Sequence, residues 1–317
     1  MSALGSRRAT IAICFAIVYL VWGSTYVTTK IGVANLPPFL FGAVRFILGG
    51  LLLLAVALVV NRRRGLSPIM PALGEWKHVT IVGFCAVTVA NGASIWGLQY
   101  VPSNQAALLN VSSSFWIPIL GLFGARAQSI SLRVALGLAI GFGGTLLVAW
   151  PDTGITLINT PYQHWPTIAI LLGCIGWSAG TIYLRNVEST LDLMSFTALQ
   201  MLCGGLLLLI PAMLAGDFAN WNWQPVGLLA LAYMTVFSSC IAYTAYAWLS
   251  INVTPAQVGT YGFVNPVIAL MLGWWILGEV LGDLQIAGMV VILCGMLLMN
   301  WPFNRRSVTS TARSAPE

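Results

Sequence analysis

Gly49-Gly50-Leu51-Leu52-Leu53-Leu54 returns 155 positions later as Gly204-Gly205-Leu206-Leu207-Leu208-Leu209. At the same offset Trp22 recurs as Trp177 and Lys30 as Arg185. Further along the offset drifts by a few positions but persists: Gln105 matches Gln257, Gly144 matches Gly295, and Trp150-Pro151 matches Trp301-Pro302. The chain therefore reads as two copies of one unit.

The composition states which solvent the copies face. Of 317 residues 58% are hydrophobic and 7% charged, where soluble domains carry about 25% charged residues. So few charges cannot cover a water-soluble surface, and the abundant glycine suits membrane helices. The net charge of +6 is not a nucleic-acid footprint, because the basic residues flank apolar spans and form no basic, aromatic-interleaved surface. Cys14, Cys85, Cys174, Cys203, Cys240 and Cys294 all lie in apolar runs without a CxxC pair, so they read as small packing residues. His78 and His164 are too far apart in sequence to suggest a metal site, and no cofactor is expected. The stretch from Arg7-Arg8 through residue 29 is longer than a signal-peptide core and reads as a retained first helix.

A membrane span needs about 20 mostly apolar residues. Ten segments qualify: 9–29, 38–60, 78–98, 103–124, 132–150, 165–184, 192–214, 226–249, 255–277 and 284–302. The expected fold is an all-α polytopic membrane protein of ten transmembrane helices. Five spans per copy, an odd number, turn the second copy upside down, giving two inverted five-helix repeats over 9–150 and 164–302. Residues 303–317 form a polar tail, expected to be disordered and cytoplasmic. With the N-terminus inside, Arg7, Arg8, Arg62, Arg63, Arg64, Lys77, Arg126, Arg133, Arg185, Arg305, Arg306 and Arg313 fall on the cytoplasmic side, which is twelve of the 14 basic residues. The positive-inside rule thus places both termini in the cytoplasm. Gly137-x3-Gly141 and Gly176-x3-Gly180 allow close helix approach, within one subunit or at a dimer seam, so the chain is a monomer or a homodimer.

Trp22-Gly23-Ser24-Thr25-Tyr26, Lys30, Pro37-Pro38 and Arg45-Phe46 resemble the first repeat of the drug/metabolite transporter superfamily, EamA type. Val101-Pro102-Ser103, Gly278-Glu279 and the Gly288 to Gly295 spacing extend the resemblance from about residue 9 to 302. Two positions depart from it. Ser114 stands where a proline usually lies, with Pro118 one turn later, and Gly124-Ala125-Arg126-Ala127-Gln128 replaces an acidic residue after the fourth span. The resemblance implies ten helices, two inverted repeats and export of small metabolites.

Polar groups at membrane depth are costly and ask for a reason. Gln257, Tyr261 and Asn265 are spaced by four and share one helix face. Ser239, Tyr243 and Tyr246 form a similar stripe. Asn91 and Asn110 lie in the third and fourth spans, Trp22, Thr25 and Tyr26 in the first, and Trp177 in the sixth. A cavity lined by them would offer aromatic walls and hydrogen-bonding groups to a substrate. The competing reading is helix-to-helix bonding, with Ser and Thr bonding back to their own helices. Arg45 either snorkels to the headgroups or faces the protein and meets carbonyls or an anionic substrate group. Lys30 at the outer mouth is expected to snorkel.

Every Asp, Glu and His falls in a loop, a tail or a span edge, none at membrane depth, which argues against a proton-coupling carboxylate there, with Glu279 at a span end as the one open question. The same absence leaves no Ser–His dyad or aspartyl pair for an intramembrane enzyme. The expected function is a bacterial inner-membrane carrier. It would export small organic metabolites such as amino acids by alternating access, without obligatory proton coupling. The substrate class rests on the resemblance. Multidrug efflux by proton antiport is the alternative, favoured by the aromatic walls, and a channel is a more distant one. Its partners are then a small-molecule substrate and the lipid bilayer, not nucleic acid.

Overall fold

The computed structural model describes residues 3–64, 70–123, 130–150, 164–253 and 261–300. They are all helical or connecting, and no strand occurs among them. The helices are α1 (Ala3–Asn35), α2 (Pro38–Arg64), α3 (Trp76–Gly83), α4 (Gly92–Gly97), α5 (Ser103–Asn110), α6 (Ser113–Leu120), α7 (Leu132–Ala149), α8 (His164–Asn186), α9 (Leu193–Leu214), α10 (Pro225–Tyr233), α11 (Tyr243–Asn252), α12 (Tyr261–Leu277) and α13 (Asp283–Asn300). A π-helical segment, Phe84–Asn91, joins α3 to α4, and a second, Met234–Ala242, joins α10 to α11. Seven helical stretches among the described residues are long and apolar enough to cross a membrane. Val264–Leu277 and Asp283–Met299 are apolar but shorter.

The fourth expected span, 103–124, is the main departure. It is two short helices, α5 and α6, with the chain tightened between them: Ser112 N bonds Leu109 O, Ser114 N bonds Val111 O, and Phe115 N bonds Ser112 O, all three residues back. Pro118 inside α6 accounts for part of this. It has no N–H to give, and its ring crowds the carbonyl of Ser114 four residues earlier.

The two halves interlock by antiparallel pairs. At one end Asn61 of α2 donates to Asp192, which caps α9 (2.7 Å). At the other, Asp217 just beyond α9 accepts from Leu40 N in the first turn of α2 (2.9 Å). So α2 and α9, which carry the repeated Gly-Gly-Leu run, pack head to tail. Helices α7 and α13 do the same through glycine. A Cβ on Gly144 would lie 2.8 Å from Gly288 O, and one on Gly137 would lie 2.8 Å from Gly295 O. Backbones this close are how helices associate where lipid removes the hydrophobic drive. The Gly176 and Gly180 faces pack on Cys85, Ala86 and Val89 of the π-segment in the same chain. All six cysteines are free.

Both Gly216 (φ 73) and Gly278 (φ 65) are left-handed, the conformation that ends a helix and favours glycine. Each immediately precedes an acidic residue, Asp217 or Glu279, and each acid caps a helix of the other half. Residues 303–317, and with them the expected tail, lie outside the described residues.

Candidate functional site

A cavity of about 170 Å³ lies between the two halves. Helices α1, α2, α4, α5, α6, α8, α11 and α12 contribute to it, together with both π-segments: Ala90 and Asn91 from one, Met234 and Ser238 from the other. A π-segment widens the helix by one residue per turn and often marks a functional site. Here the widening turns Asn91 and Ser238 to the same space from opposite halves. Asn91 Nδ2 is held on Ala86 O (2.7 Å).

Ten of the expected site residues line this cavity: Trp22, Thr25, Tyr26, Arg45, Asn91, Asn110, Trp177, Tyr243, Tyr261 and Asn265. Gln257 lies outside the described residues. The aromatic wall is continuous. Trp22 has its ring 5.5 Å from Tyr243, 5.0 Å from Tyr246 and 5.4 Å from Tyr261, and Tyr246 and Tyr261 meet edge to face at 5.7 Å. Such pairs favour tilted or edge-on packing, which locks the wall's shape. Tyr246 backs the wall and does not line the space.

The small hydroxyls divide. Thr25 bonds Trp22 O (2.6 Å) and Thr181 bonds Trp177 O (2.9 Å), each within its own helix. Ser178 donates to Ser113 O across helices (2.8 Å). Asn110 donates to Ala106 O (2.9 Å). Asn265 is 7% exposed, and its Oδ1 has no hydrogen-bond partner.

Arg45 does not snorkel. It is 6% exposed and faces the protein, with Nε 3.3 Å from Ser239 Oγ, one terminal nitrogen 3.2 Å from Ser238 Oγ, and its guanidinium 4.5 Å from the centre of the Phe46 ring. The reason is one turn further along α2. Gly49 shares Arg45's face, and a Cβ there would lie 2.7 Å from the Ser239 Cβ. The tight approach presses that face against the second π-segment. A small residue four positions after an intramembrane arginine was the available signal. Lys30 also departs from snorkelling: its Nζ donates to Gln99 O (3.3 Å) and Val101 O (3.0 Å), just before α5. Sequence reasoning missed Ser238 and the apolar lining of Phe46, Ile95, Leu98, Val111 and Met234, which an apolar run does not distinguish from core or lipid-facing residues.

Beside Lys30, the Glu279 carboxylate accepts from Ser103 N (2.7 Å), Ser103 Oγ (2.7 Å) and Asn104 N (3.0 Å). It therefore sits on the positive end of α5. Among the described residues no carboxylate and no histidine lines the cavity, and no cluster of metal-ligating side chains occurs.

Comparison with known proteins adds the family. The EamA-like transporter family model matches residues 10–150 and again 164–301. The chain belongs to the EamA-like transporter family. It is similar to the protein named "uncharacterized inner membrane transporter YedA" of Escherichia coli (strain K12), 34% identical over 284 residues, which cover 89% of this chain and 87% of that one. The "uncharacterized transporter YvbV" of Bacillus subtilis (strain 168) is 25% identical over 311 residues, 95% of this chain and 94% of the relative. A solved crystal structure shares the fold at TM-score 0.60 and 18% identity, covering 92% of this chain and 96% of the other. The chain is thus a multi-pass membrane protein of a transporter family.

Proposed function

We propose that this EamA-family transporter is an inner-membrane carrier that exports small organic metabolites, amino acids among them, by alternating access and without obligatory proton exchange. The observation that carries the reading is the cavity between the halves, walled by Trp22, Tyr243 and Tyr261 and floored by polar groups from both π-segments. About 150 Å³ admits one benzene-sized molecule, so a space of about 170 Å³ suits a small metabolite. The ten-helix, inverted-repeat reading over 9–150 and 164–302 draws support from the antiparallel α2/α9 and α7/α13 pairs and from the two π-segments. In the orientation with both termini cytoplasmic, Lys30 and Glu279 lie toward the outer side, where both bond the stretch from Gln99 to Asn104. Rocking of one bundle against the other would open the cavity.

A proton carried in exchange must ride on a group that changes charge in the cavity. Glu279, the acidic group nearest to that role, is engaged with α5 instead. The test is counterflow in proteoliposomes against a metabolite panel, with no imposed pH difference. The expected result is saturable exchange with internal pH unchanged. A fixed proton-to-substrate ratio would favour the drug antiport that the aromatic wall also accommodates, and large unitary currents would mark a channel.

A further inference from the structure

We infer that the cavity selects substrates bearing a single carboxylate, which the Arg45 guanidinium binds; the inference rests on the transport reading above and names the substrate chemistry of that same site. Arg45 is 6% exposed, yet among the described residues its partners are the hydroxyls of Ser238 and Ser239 and the face of Phe46. A guanidinium keeps its charge and has five N–H donors in a rigid fork. Two neutral hydroxyls neither neutralise that charge nor use the whole fork. A buried cation without a counter-charge is costly. The cost is relieved when a ligand brings the negative charge, so occupancy by an anion is favoured over occupancy by a neutral or cationic analogue of the same shape.

The charge count narrows the anion. Among the described residues Arg45 is the one charged group lining the cavity. Lys30, on α1 beyond the cavity-lining Trp22, Thr25, Tyr26 and Thr29, is not part of the lining and donates to Gln99 O and Val101 O. A phosphate monoester carries about −1.5 to −2 at neutral pH and would leave buried negative charge unmatched. A carboxylate matches one guanidinium one for one and accepts the fork through two oxygens. The remainder of the substrate then lies against Trp22, Tyr243 and Tyr261, which favours an apolar or aromatic body. A purely anchoring role for Arg45, tying α2 to the second π-segment, predicts no such preference.

Matched compounds test this on the full chain in proteoliposomes and in detergent. The probes are the amino acids with apolar side chains, the corresponding 2-oxo acids, the amino acid amides and the decarboxylated amines. For the native chain the expected result is that at least one carboxylate is bound and carried about tenfold or more tighter than its amide and amine, the scale of a charged hydrogen bond. Amides or amines within twofold of their carboxylates would overturn the inference, and this comparison needs no variant. Arg45→Gln should bring carboxylate and amide within twofold of each other, while Arg45→Lys should keep a weakened preference, both at native gel-filtration profile and melting midpoint. A tenfold carboxylate preference persisting in Arg45→Gln also overturns it. If panel compounds exchange without a carboxylate preference, the carrier reading stands and this one fails. If no compound of the panel binds or moves, both fail.

Discussion

The carboxylate of Glu279, in the second half, accepts both the backbone N–H and the hydroxyl of Ser103 in the first, each at 2.7 Å. This joins the end of α12 to the start of α5, the helix whose Ala107 and Asn110 line the cavity. It makes Glu279 a helix cap. Gly278 makes the geometry available: its φ of 65 turns the chain back so that the next side chain reaches α5.

Glu279→Ala should therefore loosen the contact between α12 and α5, not uncouple a proton. Charge-assisted hydrogen bonds contribute about 1.5–3 kcal/mol, and the loss leaves Ser103 N and Asn104 N bare. The expected outcome is destabilisation of about 2 kcal/mol, read as a lower melting midpoint in detergent. A cysteine placed at Leu98, 2% exposed on the cavity wall, should react faster with an impermeant thiol reagent in this background. Unchanged labelling and melting would mean the contact holds nothing.

Gly144 and Gly288 set the distance between α7 and α13. A Cβ on Gly144 would meet Ile292 N at 2.7 Å and Gly288 O at 2.8 Å, both backbone atoms that cannot swing away. Gly144→Val should cost about 1–3 kcal/mol, the usual range for overpacking. Gly143, next on the same helix, has nothing within 4 Å of its would-be Cβ. Gly143→Ala should melt like the native chain, and equal melting of the two variants would refute the packing account.

Asp192 gives the fold an acid-side sensitivity. Partial burial pushes its pKa up, but Ser195 Oγ, Asn61 Nδ2 and the N–H groups of Ser195 and Met194 all donate to it and hold it below the usual carboxylate range. A depressed carboxylate contributes stability that is present above its ordinary pKa and lost as pH falls through the folded value. The loss begins on the order of pH 5 and deepens below it. Asp192→Asn still caps α9 but does not titrate. Its melting midpoint should fall less steeply than the native one between neutral and acid pH, while Asp192→Ala should lose about 1 kcal/mol at neutral pH.

Orientation is tested by single cysteines in a cysteine-free background. Arg63→Cys and Ser310→Cys should be shielded from an impermeant reagent in intact cells, and Thr153→Cys should label. Labelling of Ser310→Cys from outside would reverse the topology.

Membrane residence, helical class and internal duplication were legible in the sequence, because each is carried by long runs: apolar stretches of about 20 residues, and a Gly-Gly-Leu motif returning at one offset. The candidate site was legible as polar and aromatic side chains inside those runs. Trp22, Asn91, Tyr261 and Asn265 stood out there, since a polar group in lipid needs a partner. Which way Arg45 points was not legible from its span alone. A span specifies length and depth but leaves rotation about its axis free, and that rotation came from Gly49 packing on Ser239. The break between α5 and α6 falls at Asn110-Val111-Ser112-Ser113-Ser114, a mostly polar stretch that the apolar sum over the whole span conceals.

By itself, then, the sequence determined that this chain is helical, duplicated and confined to a bilayer, and that few polar groups could stand at depth. Only the tertiary structure decided that those groups meet in one cavity, that Arg45 turns inward among serines, and that Glu279 caps a helix. The physical reason is that solvent preference is a sum over consecutive residues, whereas a site is a meeting of residues far apart in sequence. Those meetings are set by the close glycine contacts and helix caps through which the two halves hold one another.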